Sequence, residues 1–151
     1  VFHIYNMPVR SLRVKRRIRG TRKHAKCNHN RDKHTIVSTF MEMLNTVKVY
    51  HWNTRSYAEH KATDELYEKL NEHIDSFVEV MLGKHGERLP NLRKKVPVVT
   101  KDVSDFKSRI FAYRHFLKGL SRCFSRDEDL MSIRDDILSD LNQFLYLMTF
   151  H

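Results

Sequence analysis

Four stretches of this chain place apolar side chains three and four residues apart, and that periodicity constrains its fold more than any other feature. Val37, Phe40, Leu44 and Val47 form the first stripe, and Ala62, Leu66, Leu70, Ile74, Phe77 and Met81 the second. Phe106, Ile110, Tyr113, Leu117 and Leu120 form the third, and Leu130, Ile133, Ile137, Leu141, Phe144 and Met148 the fourth. A helix turns once every 3.6 residues, so each stripe is a single apolar face that another element must cover. The spacing predicts helices over about 34–52, 57–82 and 101–123, and a fourth beginning after Ser125. Ser56 with Glu59, and Ser125 with Glu128, stand in capping-box spacing, and Gly83 is placed to end the second helix. Between 83 and 99 the chain holds Gly83, Gly86, Pro90, Pro97 and the basic cluster Arg93-Lys94-Lys95, the composition of a connection and not of a helix. Short links at 53–56 and 124–125 make each flanking pair of helices antiparallel. The expectation is an all-α four-helix antiparallel bundle over residues 34–151, with one long crossover in its middle.

Charge divides the chain in two. Residues 1–33 hold eleven Lys and Arg against one acid, Asp32, whereas residues 34–151 hold seventeen of each sign, so the net charge of +10 resides in an N-terminal arm. Its cations include Arg10, Arg13, Lys15, Arg16, Arg17, Arg19, Arg22, Lys23 and Lys26, with too few apolar residues among them to build a core. A neutral body with a segregated cationic arm is the footprint of a protein that touches a polyanion. Nucleic acid is the leading partner, because phosphates neutralised by Lys and Arg release counterions and demand no fixed geometry. An acidic protein surface such as a capsid shell, or a nuclear-localisation role, is the competing explanation. The chain opens on Val1 with Met7 close behind, as a trimmed or partial sequence would.

Chemistry concentrates between His51 and Glu79. His51 follows the first stripe by one turn and so faces inward; on the second helix His60 and Asp64 are four residues apart, as are Asp75 and Glu79, and the two pairs share a face. Imidazoles and carboxylates converging in a helical bundle suit iron, manganese or zinc. The bland alternative is a solvated charged face, which is the expectation for Glu59, Glu65, Glu68 and Glu72. The ligand face lies beside the core stripe, so another subunit is placed to complete any site. Trp52 is a candidate either to line that site or to plug the end of the bundle.

These residues carry a resemblance. His51-Trp52-Asn53, then His60, Asp64, Tyr67, Asp75 and Glu79 with Gly83 behind them, resemble the signature of the Dps-type mini-ferritins. Asp129-Leu130 and the run from Asp140 to Leu147 resemble the last helix of that family, so the similarity covers roughly residues 35–150. The wording around Met43 to Trp52 and His60 to Tyr67 is closer still to uncharacterised ferritin-like proteins of large DNA viruses. One departure is plain: the interval from His51 to His60 is about three residues shorter than in bacterial members. The resemblance implies a ferritin-like bundle, a di-iron ferroxidase site of two His and three carboxylates shared between subunits of a homo-oligomer, and a basic arm that binds DNA. His51, His60 and Asp64 would come from one subunit and Asp75 and Glu79 from its neighbour.

Two classes of function follow. One is a mini-ferritin that binds and oxidises iron while its arm holds nucleic acid. The other is a structural virion component, a minor capsid protein using the same bundle as a brick, with the arm on capsid or genome and the ligands empty. The two cysteines, Cys27 and Cys123, suggest no disulfide framework and an intracellular, reducing setting, or packaging in a virion. Cys27 among His24, His29 and His34 can also be read as a zinc knuckle, against which stands the lack of a second nearby cysteine. No apolar run approaches the length of a membrane span, and there is no glycine-rich phosphate loop.

Overall fold

The computed structural model describes residues 29–86, 88, 89 and 102–150. Five helices account for nearly all of them: α1 (His29–Asn53), α2 (Tyr57–His85), α3 (Val103–Gly119), the single turn α4 (Ser121–Phe124) and α5 (Glu128–Leu147). There is no β-strand among the described residues. The four long helices carry the four stripes, and all the stripe residues but Ala62 and Ile133, which are partly buried, are buried in one continuous core.

Contacts between helices set the topology. At one end Phe40 of α1 meets Phe77 of α2 and Phe116 of α3 edge to face, and Phe77 meets Phe124 of α4. At the other end Tyr50 of α1 stacks on Phe106 of α3, Phe106 meets Phe144 of α5, and Lys107 of α3 donates to the Met148 carbonyl beyond α5. Helix α2 therefore ends at the Phe77 end, whereas α3 begins at the Tyr50 end. Those two helix ends are separated by the length of the bundle, about 43 Å for a helix as long as α2. Helices α1 and α2 are antiparallel, as are α3 and α5. The expectation of an all-α bundle holds; the crossover residues 90–101 and the arm residues 1–28 lie outside the described residues.

Helix ends depart from the periodicity. Helix α1 starts at His29, not 34, and Lys33 is buried, so the last residues of the basic segment belong to the bundle. Helix α2 passes through Gly83 to His85, and Gly86 caps it in the left-handed conformation (φ 59°), its N–H donating to the Gly83 carbonyl at 3.2 Å. Among the described residues only Gly86 needs positive φ, which a side chain would oppose. Asp102 caps α3 by accepting from the Asp105 N–H at 2.8 Å, and the helix breaks after Gly119. The second capping box is not formed: Asp127 occupies the N-cap of α5 without a side-chain cap bond, and Lys84 reaches across from α2 to Asp127 and Asp129 at 2.7 and 2.6 Å. At the first box Ser56 does accept from the Glu59 N–H, but the Glu59 carboxylate is engaged elsewhere.

Candidate metal centre

The link between α1 and α2 is only Thr54, Arg55 and Ser56, so the last turn of α1 lies against the first turns of α2. His51 is buried, as the stripe predicted, at 7% exposure, and its ring stacks on that of His60 with centroids 3.9 Å apart and planes inclined by 23°. The backbones clasp the rings reciprocally. His51 Nδ1 is 3.0 Å from the His60 carbonyl oxygen, and His60 Nδ1 is 3.1 Å from that of His51. A carbonyl only accepts, so each Nδ1 must carry its proton and donate. In the neutral rings both lone pairs are then on Nε2, the second-atom arrangement that orients metal-binding histidines. Thr63, fully buried, stands 3.3 Å from His51 Nδ1 and spends its own proton on the Glu59 and His60 carbonyls.

Asp64 lies beside His51, with Oδ1 3.8 Å from His51 Nε2 and equally far from Lys48 Nζ. Lys48 also lies over the Tyr67 ring at 4.6 Å. The pair is half-exposed and loosely held, so solvent screening leaves it little energy of its own. Asp64 is open to a stronger cation.

Glu59 is not the solvent-side bystander that the ordinary exposure of glutamates suggested. Its carboxylate is part-buried and accepts from the Tyr50 hydroxyl at 2.8 Å and from the Thr54 hydroxyl. Burial, then the hydrogen bond to Glu59, pushes the Tyr50 phenol well above its ordinary value. A sequence signal for this pair existed: Tyr50 and Glu59 stand nine apart, like His51 and His60, across the same hairpin. Glu65, Glu68 and Glu72 are exposed as expected.

Asp75 and Glu79 are not brought to the group. They are exposed, eleven and fifteen residues beyond Asp64 on the same helix, which places Asp75 about 16 Å further along its axis. Among the described residues no three His, Cys, Asp or Glu side chains of one chain are gathered to hold a metal ion. Asp75 instead lines an apolar groove of about 320 Å³ between α1 and α2, with Val37, Met41, Leu44, Asn71 and Val78. Trp52 is 69% exposed and does not plug the bundle. Cys123 is disulfide-bonded, although the cysteine count suggested no disulfide framework; Cys27 lies outside the described residues. The cations from Arg10 to Lys26 lie outside them as well. No described helix is long and apolar enough to cross a membrane.

Over residues 51–148 the chain matches a family of unknown function, DUF5856, and it belongs to that family. The matched region opens at His51 and holds the whole ligand series. No curated protein and no solved structure matches the chain.

Proposed function

We propose that this is a Dps-type, ferritin-like protein whose paired subunits hold iron at a di-iron ferroxidase-type site, and whose cationic arm binds nucleic acid. The observation that carries the reading is the reciprocal clasp of His51 and His60, which occupies both Nδ1 atoms and leaves the Nε2 lone pairs to a ligand, that of His51 being 3.8 Å from an Asp64 oxygen. Neutral nitrogens suit Fe(II), and added carboxylates favour Fe(III) after oxidation; manganese or zinc fit the same donors. Iron, when bound, supplies the electrons; the chain's own residues bind, orient and neutralise. A down, up, up, down order of helices with one crossover along the bundle supports the ferritin-like class.

The spacing of the ligands on α2 supports a shared site. His60, Asp64, Asp75 and Glu79 are separated by four, eleven and four residues, a series that reads the same from either end. A second copy laid antiparallel across α2, on a two-fold axis, sets its Asp75 and Glu79 against Asp64 and His60 of the first. The apolar groove on that side, with Met41 44% exposed, offers surface for such a contact. The second reading is a virion component that uses the bundle as a brick and never loads metal.

Native mass spectrometry with an anaerobic Fe(II) titration separates them. The mini-ferritin reading expects an even-numbered oligomer that binds Fe(II), an affinity lowered at least about tenfold in Asp64→Ala, and no change in Glu65→Ala. A monomer that takes up no metal overturns it. For the arm, deletion of residues 1–28 is expected to leave helicity intact and abolish DNA binding, whose affinity in the full chain falls steeply with salt. Undiminished binding by the truncated chain defeats that half.

A further inference from the structure

A cavity larger than the groove beside Asp75 has neither histidine in its lining. It is an open groove of about 740 Å³ near the hairpin end, between α2 and the ends of α3 and α5. Ala62, Val103, Leu147 and Phe150 give it an apolar floor, and of these Val103, Leu147 and Phe150 are exposed. Its rim on α2 carries Glu65 and Glu68, both exposed, next to Glu59 and Asp64. Two cations also line it: Lys61, and Lys107, which is engaged with the Met148 carbonyl. Four carboxylates against two amines leave it acidic. Glu59 and Asp64 are taken up by Tyr50, Thr54 and Lys48, whereas Glu65 and Glu68 have no hydrogen-bond or ion-pair partner among the described residues. An exposed apolar floor with an unneutralised acidic rim selects a ligand that is apolar and cationic at once.

The chain supplies such a ligand. In the stretch 8–19, Val9, Leu12, Val14 and Ile18 alternate with Arg10, Arg13, Lys15, Arg16, Arg17 and Arg19, and no acid interrupts them. Reach is sufficient. The seventeen residues from Leu12 to His29 span up to about 56 Å when extended, while α1, at whose far end the arm attaches, is about 37 Å long. We propose that residues 8–19 dock in this groove of their own chain, with the apolar side chains on Val103, Leu147 and Phe150 and the cations on Glu65 and Glu68. The proposal deepens the reading of the arm as the polyanion-binding element: groove and nucleic acid compete for the same cations, so docking holds the arm in reserve until phosphates displace it.

Zero-length carbodiimide coupling of the full chain, followed by peptide mass spectrometry, tests the docking directly. At low salt Lys15 is expected to couple to Glu65 or Glu68, within one chain when ¹⁴N- and ¹⁵N-labelled copies are mixed, and the coupling is expected to vanish in 0.5 M salt. Absence of that product at low salt, or its formation only between differently labelled copies, overturns the proposal. The double variant Glu65→Gln and Glu68→Gln, checked for unchanged helicity, is expected to bind duplex DNA about three- to tenfold more tightly at low salt, and unchanged affinity overturns the reserve role. If the full chain couples Lys15 to the rim yet binds no DNA, the docking stands and the nucleic-acid reading falls.

Discussion

The two ends of the bundle are made by the same helices and bury different things. Around Phe40 and Phe77 the core is aromatic, with rings meeting edge to face at centroid distances of 5.3 to 6.0 Å, and polar contacts such as that of Lys84 with Asp127 and Asp129 lie outside it. Around His51 the buried set includes an imidazole, the Thr63 hydroxyl and the Tyr50 phenol, each held by a named partner. Apolar burial is non-directional and tolerates small shifts, whereas buried polar atoms lose heavily unless each is satisfied. The aromatic end is therefore built for stability and the histidine end for defined atomic positions, and their responses to substitution should differ in kind.

The largest effect is expected from Phe77→Ala, which removes a fully buried ring from the aromatic end and should lower unfolding stability by about 3–5 kcal/mol in urea denaturation. If the loss were under 1 kcal/mol, the contrast between the ends would fail. A smaller effect, about 1 kcal/mol, is expected from Tyr50→Phe, which keeps the stack on Phe106 and drops one hydrogen bond. Its signature lies in pH. Because the Tyr50 phenol is raised in the folded state, its contribution is whole below the ordinary tyrosine value near 10 and is lost as pH climbs from there toward the folded value. Thermal melts from pH 8 to 11 should show a shallower alkaline decline in the variant than in the parent chain.

The smallest effect belongs to Lys84→Met. Lys84 and Asp129 are exposed and Asp127 is partly so, and the hydrogen bonds of Lys84 hold the Asp129 carboxyl below the usual range while they raise the ammonium. A depressed carboxylate stabilises the fold above its unfolded pKa and ceases to as pH falls through the folded one. The variant should therefore lose a little stability at neutral pH, match the parent chain near pH 2, and approach it in high salt at any pH. A loss that ignored both salt and acid would mean that Lys84 acts through packing.

Helix ends show where reading along the chain stops short. Gly83 and Gly86 are equally good stop signals on paper, and nothing crowds the Cβ position of either. The helix runs to the second because the backbone turns left-handed only there. Ser125 and Glu128 had the right spacing for a capping box, yet Asp127 took the N-cap position. At the candidate site the inward turn of His51 was legible from its distance to Val47, and that of Glu59 from its phase with Leu66 and Phe77, seven and eighteen residues on, but its charge ranked it with the solvent-side glutamates.

What the sequence determined by itself is the four apolar stripes, buried in all but Ala62 and Ile133, and the number of long helices, since a 3.6-residue repeat specifies its own apolar face without reference to anything else. It also determined that Asp75 and Glu79 share a face with Asp64, and, through the fixed helical rise, that one chain cannot bring them together. Only the tertiary structure decided that His51 and His60 clasp each other's carbonyls through Nδ1, and that the Glu59 carboxylate accepts from Tyr50. Those contacts depend on the relative height and rotation of two helices, which a three-residue link and the packing of Tyr50 on Phe106 set to fractions of a turn and no pattern within a single helix encodes.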